Sequence, residues 1–126
     1  MTLYDIVQID DDTTLRKDMQ FISEANQQSY FGIGSLIELE RCLSQTEAKV
    51  WVVDARFPRE PGGQVLLLAG EAIQTIRAQY ADAKIILYSS DINAPRIAQS
   101  QNTKFLDKFR CTRLELVQKF KEMISL

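Results

Sequence analysis

The sequence predicts a doubly wound parallel α/β sandwich, a five-stranded parallel sheet covered on both faces by five helices. Three observations carry that expectation. The run Val50-Trp51-Val52-Val53 is apolar without a break and stops at Asp54, which suits a central strand buried on both faces. Apolar runs of strand length alternate along the chain with segments of helical spacing, the order that builds a parallel sheet through right-handed crossovers. The ends of four expected strands carry chemically competent side chains: Asp10 and Asp11, Asp54, Ser89, and Lys108. In open α/β sheets that carboxyl edge is where ligands bind.

The elements follow in order. Leu3-Tyr4-Asp5-Ile6-Val7-Gln8-Ile9 reads as a first strand and runs into Asp10-Asp11-Asp12. Thr13 and Thr14 open a helix with Leu15, Met19 and Ile22 on one face and Asp12 or Thr13 as its N-cap. Residues 29–34 make a weaker second strand. Ser35 with Glu38 forms a capping box, and Leu36, Leu39 and Leu43 supply the next apolar stripe. After Asp54, Pro58 cannot extend the strand and biases Phe57 away from helix, so a loop is expected through Arg59-Glu60-Pro61-Gly62-Gly63.

A long helix is expected over residues 64–80, its buried face including Leu66, Leu67, Ala69, Gly70, Ile73, Ile76 and Arg77. A helical glycine costs about 1 kcal/mol relative to alanine, so Gly70 predicts close packing or a bend. Lys84-Ile85-Ile86-Leu87-Tyr88 is another buried strand, ending in Ser89-Ser90-Asp91. Pro95 suits the first turn of a short helix ending near Ser100. Residues 103–107 form a short fifth strand ahead of Lys108. Thr112 and Glu115 make a second capping box, and Leu114, Val117, Phe120 and Ile124 give the last helix its face.

Composition narrows the chemistry. The 126 residues fit one domain spanning 1–126, either a whole protein or the N-terminal part of a longer one. An apolar content of 45% supports a core, and a net charge of −2 argues against direct nucleic-acid binding. No stretch is long enough to span a membrane, and no signal peptide is present. Cys42 and Cys111 lack metal or redox spacing and read as reduced thiols in a cytoplasmic protein. The absence of histidine removes Ser-His and Cys-His catalysis, imidazole metal sites and any phosphohistidine on this chain.

What remains is carboxylate, hydroxyl and ammonium chemistry. Three adjacent carboxylates repel one another and call for a cation. An all-oxygen set of this kind suits Mg²⁺, which needs few protein carboxylates. Asp54 would be both a ligand and a nucleophile, since carboxylates can form aspartyl phosphates. Lys108 offers a point charge to phosphoryl oxygens and Ser89 a hydroxyl donor. Taken singly, each has a plain explanation: a helix cap, a loop carboxylate, a turn serine, a solvated lysine. It is their order and their common place at strand ends that point to phosphoryl transfer.

At these residues the chain resembles the receiver domain of two-component response regulators, a CheY-like, flavodoxin-like fold. The resemblance covers essentially the whole chain. It rests on Ile9-Asp10-Asp11-Asp12 with Arg16, on Val53-Asp54 with Pro58 and Gly62, on Tyr88-Ser89-Ser90, and on Phe105-Leu106-Asp107-Lys108-Phe109. It implies that Asp10 and Asp11 hold Mg²⁺ with Asp54 and the backbone carbonyl of Arg56, and that Asp54 is the phosphoacceptor. It further implies Ser89 and Lys108 as the hydroxyl and lysine of the site, and Ser89 with Phe105 as the switch pair. The phosphoryl donor would be a histidine kinase or phosphotransfer protein. The target would be a downstream effector or an output domain, with a homodimer as a further option.

Three features depart from that pattern. Phe109 stands where a proline usually follows the lysine, which predicts a trans bond and a shifted loop. The 89–108 stretch is a few residues short, predicting a stunted fourth helix, and the 54–89 stretch is a few residues long. Arg56 and Asp91, each two residues past a site residue, are expected to form an ion pair that obstructs water at the site.

Two other readings compete. Asp10-Asp11-Asp12-Thr13-Thr14 fits the Asp-x-Asp-x-Thr pattern of haloacid-dehalogenase-type phosphatases, with Asp10 as nucleophile and Asp12 as acid–base. That reading leaves Asp54 unexplained and lacks acidic ligands at a later strand end, so a signalling domain rather than an enzyme is expected. The other is a degenerate receiver used only for binding or dimerisation, which the intact carboxylates oppose.

Overall fold

In chain order the elements are β1 (Thr2–Ile9), α1 (Thr13–Ala25), β2 (Tyr30–Ile33), α2 (Leu36–Cys42), β3 (Thr46–Val53), β4 (Arg56–Pro58), β5 (Val65–Leu67), α3 (Ala69–Gln79), β6 (Ile85–Ser89), α4 (Ala94–Ser100), β7 (Lys104–Asp107) and α5 (Arg113–Ser125). They come from a computed structural model that describes residues 1–125. Five strands form one sheet in the order β2-β1-β3-β6-β7, every neighbouring pair parallel. The expected fold class is the one observed.

The sheet is buried on both faces because successive side chains of a strand point to opposite sides. Val50 and Val52 of β3 pack with Leu15 and Met19 of α1 and with Leu116, Val117 and Phe120 of α5. Trp51 and Val53 pack on the other face with residues of α2, α3 and α4, among them Leu39, Ile73 and Ala98. The unbroken apolar run thus has a physical cause: each of its four residues meets a helical layer, and none is more than 1% exposed. Trp51 also stacks on Tyr80 at 6.1 Å. The Tyr80 hydroxyl bonds the carbonyls of Leu43 and Thr46, pinning the end of α3 to the start of β3.

Capping chemistry sets the helix starts. Asp12 is the N-cap of α1, its carboxylate accepting from the Leu15 amide at 3.1 Å. Ser35 caps α2 and donates to Glu38 Oε1 at 2.8 Å. Thr112 and Glu115 satisfy each other's amides ahead of α5. Pro95 lies in the first turn of α4, which is only seven residues long, as the short 89–108 stretch required.

The expected helix over 64–80 is corrected. Residues 65–67 are the strand β5, antiparallel to β4 with Phe57 opposite Leu66, and the helix begins only at Ala69. The chain reverses through the 61–63 segment, where Gly62 has φ +79° and the Gly63 amide bonds the Glu60 carbonyl. The Leu68 and Ala69 amides both bond the Ala55 carbonyl, so the backbone is committed to the hairpin before the helix starts. Leu67 is consequently 41% exposed rather than on a buried helical face.

Two smaller expectations also give way. Gly70 is not closely packed: a Cβ there would meet only Gln101 Nε2, at an ordinary 3.6 Å. Leu114 is half exposed, and Leu116 takes its place in the core beside Val117 and Phe120.

Candidate functional site

Parallel pairing brings distant parts of the chain to one edge. The Asp10 amide bonds the Ile33 carbonyl, the Asp54 amide bonds the Ile9 carbonyl, and the Lys108 amide bonds the Ser89 carbonyl. Each bond continues a sheet ladder one residue past the strand. The side chains of Asp10, Asp54, Ser89 and Lys108 are thereby fixed by backbone geometry rather than by flexible loops.

Asp10, Asp11 and Asp54 form one cluster, each offering a carboxylate oxygen within 4.8 Å of the other two. Asp10 is only 1% exposed, Asp54 partly buried and Asp11 exposed, so the cluster opens to solvent on the Asp11 side. Asp10 Oδ1 accepts from the Asp12 amide at 2.9 Å, and Asp54 Oδ1 accepts from the Ala55 amide at 2.7 Å. Their other oxygens share one cation. Lys108 Nζ lies 2.7 Å from Asp10 Oδ2 and 3.3 Å from Asp54 Oδ2.

The electrostatics follow from this crowding. Burial, reinforced by the Asp54 charge, pushes the Asp10 carboxyl up to about 6 against the pull of Lys108. Burial alone would lower the Lys108 ammonium, but Asp10 and Asp54 outweigh it and hold it above its ordinary value. Lys108 also lies 5.7 Å from the ring centre of Tyr88, whose hydroxyl bonds the Cys111 carbonyl. An all-oxygen cluster carrying more negative charge than one lysine neutralises fits a hard divalent cation.

A cavity of about 230 Å³ collects these groups. Asp11, Asp54, Ser89 and Lys108 line it, together with Arg56 and Asp91. Ser89 is buried, and its hydroxyl accepts from the Asp91 amide at 3.0 Å. The expected ion pair is present at the rim, with Arg56 Nε 2.5 Å from Asp91 Oδ2. The Arg56 guanidinium holds the Asp91 carboxyl below the usual carboxylate range. Phe105 lies one strand over, half-buried in β7 opposite Leu87. The Lys108–Phe109 peptide bond is trans, and the Phe109 side chain is 85% exposed.

Asp12 stands apart from this cluster because its carboxylate caps α1. One lining residue escaped the sequence reading. Val65 reaches the cavity from β5 and remains 45% exposed. The signal was available in Phe57-Pro58 and Val65-Leu66-Leu67 flanking Pro61-Gly62-Gly63, a hairpin pattern that the overlapping helical spacing concealed.

No protein-family model and no curated protein matches the sequence. Solved structures do. One is a CheY-like response regulator receiver domain protein from Methanospirillum hungatei, 15% identical, with a TM-score of 0.79 over 98% of this chain and 95% of that one. The chemotaxis response regulator CheY4 of Vibrio cholerae is 13% identical, with a TM-score of 0.76 over 97% of this chain and 99% of that one. The BeF3-activated DrrB receiver domain is 13% identical, with a TM-score of 0.77 over 99% of this chain and the whole of that one. In strand order, layering and coverage, the chain has the fold of the CheY-like response regulator receiver domains.

Proposed function

We propose that this domain is a phosphoacceptor that receives a phosphoryl group on Asp54 and switches a protein-interaction surface in response. The observation that carries the reading is the convergence of Asp11, Asp54 and Lys108 on one cavity at the carboxyl edge of the sheet, with the buried Asp10 clustered behind them and paired with Lys108. The donor would be a phosphohistidine on a kinase or phosphotransfer protein, since this chain has no histidine of its own. An Asp54 carboxylate oxygen forms the new bond to phosphorus as the donor's nitrogen–phosphorus bond breaks, its electron pair leaving with the imidazole.

Asp10, Asp11 and Asp54, with the Arg56 carbonyl, would hold Mg²⁺, which when bound supplies positive charge for the phosphoryl oxygens. Lys108 supplies the fixed countercharge from the protein. Its ammonium already bridges Asp10 and Asp54, so a phosphoryl oxygen on Asp54 forms within its reach. Ser89 donates its hydroxyl to the same group. Phe105 then repacks inward, and with no hydroxyl of its own it needs no hydrogen-bond partner there. The Arg56–Asp91 pair closes the rim and slows hydrolysis. The output is carried by an effector protein or an attached output domain.

Incubation with acetyl phosphate and Mg²⁺ tests the reading by intact mass. The wild-type chain should gain one phosphoryl group and Asp54→Asn none. A wild-type chain that stays unlabelled, or a variant labelled equally well, would overturn it. For the switch, the beryllofluoride complex should show Ser89 and Phe105 displaced from their positions here, and unchanged positions would remove that part.

A further inference from the structure

Beside the acidic cavity lies a second cleft, of about 290 Å³, walled by the first turn of α1, by Gly34 and by the Pro61-Gly62-Gly63 turn of the hairpin. Arg16 lies in its wall. The side chain is laid down with some care by the sequence. A Cβ on Gly32 would stand 3.2 Å from Arg16 Cδ, and one on Gly34 would stand 3.4–3.5 Å from Nη2, Cζ and Nη1. Three guanidinium atoms at nearly one distance mean that its flat face lies against the bare backbone of Gly34. Two glycines at alternate positions of one edge thus form a track for this arginine.

Among the described residues, however, the head group has no hydrogen-bond or ion-pair partner. Arg16 Nε is sealed from solvent and makes no hydrogen bond. Among the described residues, the ion pairs within 4.0 Å use Lys49, Arg56, Arg59, Lys108 and Arg113, and none uses Arg16. Its Nε is a buried donor that no group among the described residues satisfies, an arrangement that is costly unless something else accepts it. Asp11 and Glu38 also face the cleft, and Glu38 already accepts from Ser35 Oγ at 2.8 Å.

We propose that Arg16 is an oxyanion receptor, and that the cleft between it and the 61–63 turn binds a carboxylate or a phosphate monoester, separately from the phosphoryl group received by Asp54. A guanidinium presents a planar fork of donors that matches the paired oxygens of those two groups. The glycine turn opposite leaves the approach open, since a Cβ on Gly62 would touch nothing within 4 Å. The facing carboxylates of Asp11 and Glu38 keep the affinity modest and select for a ligand that reaches Arg16 directly.

The Arg16 Nε–Hε resonance, followed by ¹H–¹⁵N NMR of the whole chain in chelator, reports on the site directly. Inorganic phosphate is titrated in one arm and acetate in the other. In at least one arm the Nε–Hε signal should move saturably with a dissociation constant on the order of 1 mM, carrying the Gly34 and Gly63 amides with it. The responding arm identifies the anion class. Arg16→Gln should abolish the effect, and Arg16→Lys should weaken it about tenfold by keeping the charge but losing the fork. Asp54→Asn should bind as wild type does, which separates this site from the phosphoacceptor. An Nε–Hε signal that does not move in either arm, shifts confined to Ser89 and Lys108, or an Arg16→Gln chain that binds equally well would each overturn the proposal. The wild-type resonance decides even if the variants fold poorly.

Discussion

The ammonium of Lys108 lies 2.7 Å from Oδ2 of Asp10, a residue 98 positions away that is 1% exposed. Around this contact a buried carboxylate and its neighbour Asp54 tolerate each other's charge.

Removing the ammonium should expose that repulsion. Lys108→Ala is expected to lower unfolding stability in chelator by about 2–3 kcal/mol, because it leaves a buried carboxylate without its partner. Added Mg²⁺ should restore part of the loss. An unchanged urea midpoint would show that the pair contributes nothing to folding.

Stability without metal should depend on pH with an unusual sign. The folded chain binds the Asp10 proton more tightly than the unfolded one, because its carboxyl sits at about 6 rather than the ordinary 3.8. Stability therefore falls as pH rises from about 4 to 6, by an amount on the order of 2–3 kcal/mol. The carboxyls held low, Asp5, Glu71 and Asp91, give the opposite slope only below the ordinary range. Urea titrations in chelator at several pH values should show the decline, and Asp10→Asn should remove it.

Asp54→Asn acts on the same pair from the other side. It deletes the charge that, after burial, contributes most to raising Asp10, while an amide oxygen can still accept from the Ala55 amide. Thermal stability in chelator should rise by about 1 kcal/mol, and the pH slope between 4 and 6 should flatten. A destabilised variant would contradict this.

Arg56→Ala should leave stability almost untouched, since an exposed ion pair is worth roughly 0–1 kcal/mol. Its effect is expected on lifetime. With the rim opened, the phosphorylated chain should lose its label several-fold faster in a time course followed by mass. Equal rates would remove the gating role.

Arg77 provides a contrast far from the chemistry. Its guanidinium reaches from α3 to the carbonyls of Gln101 and Asn102 and to Thr103 Oγ1, fastening the turn ahead of β7. Arg77→Ala should cost about 1–3 kcal/mol by removing the donor to the Asn102 carbonyl and leaving the Gln101 carbonyl with only the Thr103 hydroxyl, with labelling at Asp54 unchanged. Loss of labelling at preserved stability would place Arg77 in the switching path instead.

Much of this arrangement was legible in one dimension. Val50 to Val53 announced a doubly buried strand because every side chain in a parallel sheet faces a helix. Asp12, Ser35 and Thr112 announced helix starts because each has a local amide to accept from. The hairpin was not legible in the same way. Leu66, Leu67, Ile73 and Ile76 satisfy helical spacing, yet strand pairing across residues 56–58 competes for the first two. Periodicity within a window carries no information about a partner strand seven residues upstream.

The sequence by itself determined the fold class and the chemical types gathered at the strand ends, because alternation of apolar runs and the residue after each run are local properties. Only the tertiary structure decided that Lys108 bridges Asp10 and Asp54, that Arg56 meets Asp91, and that Arg16 lies across Gly32 and Gly34. Those are distances between elements remote in the chain, and they are set by strand register and helix packing rather than by any neighbour in sequence.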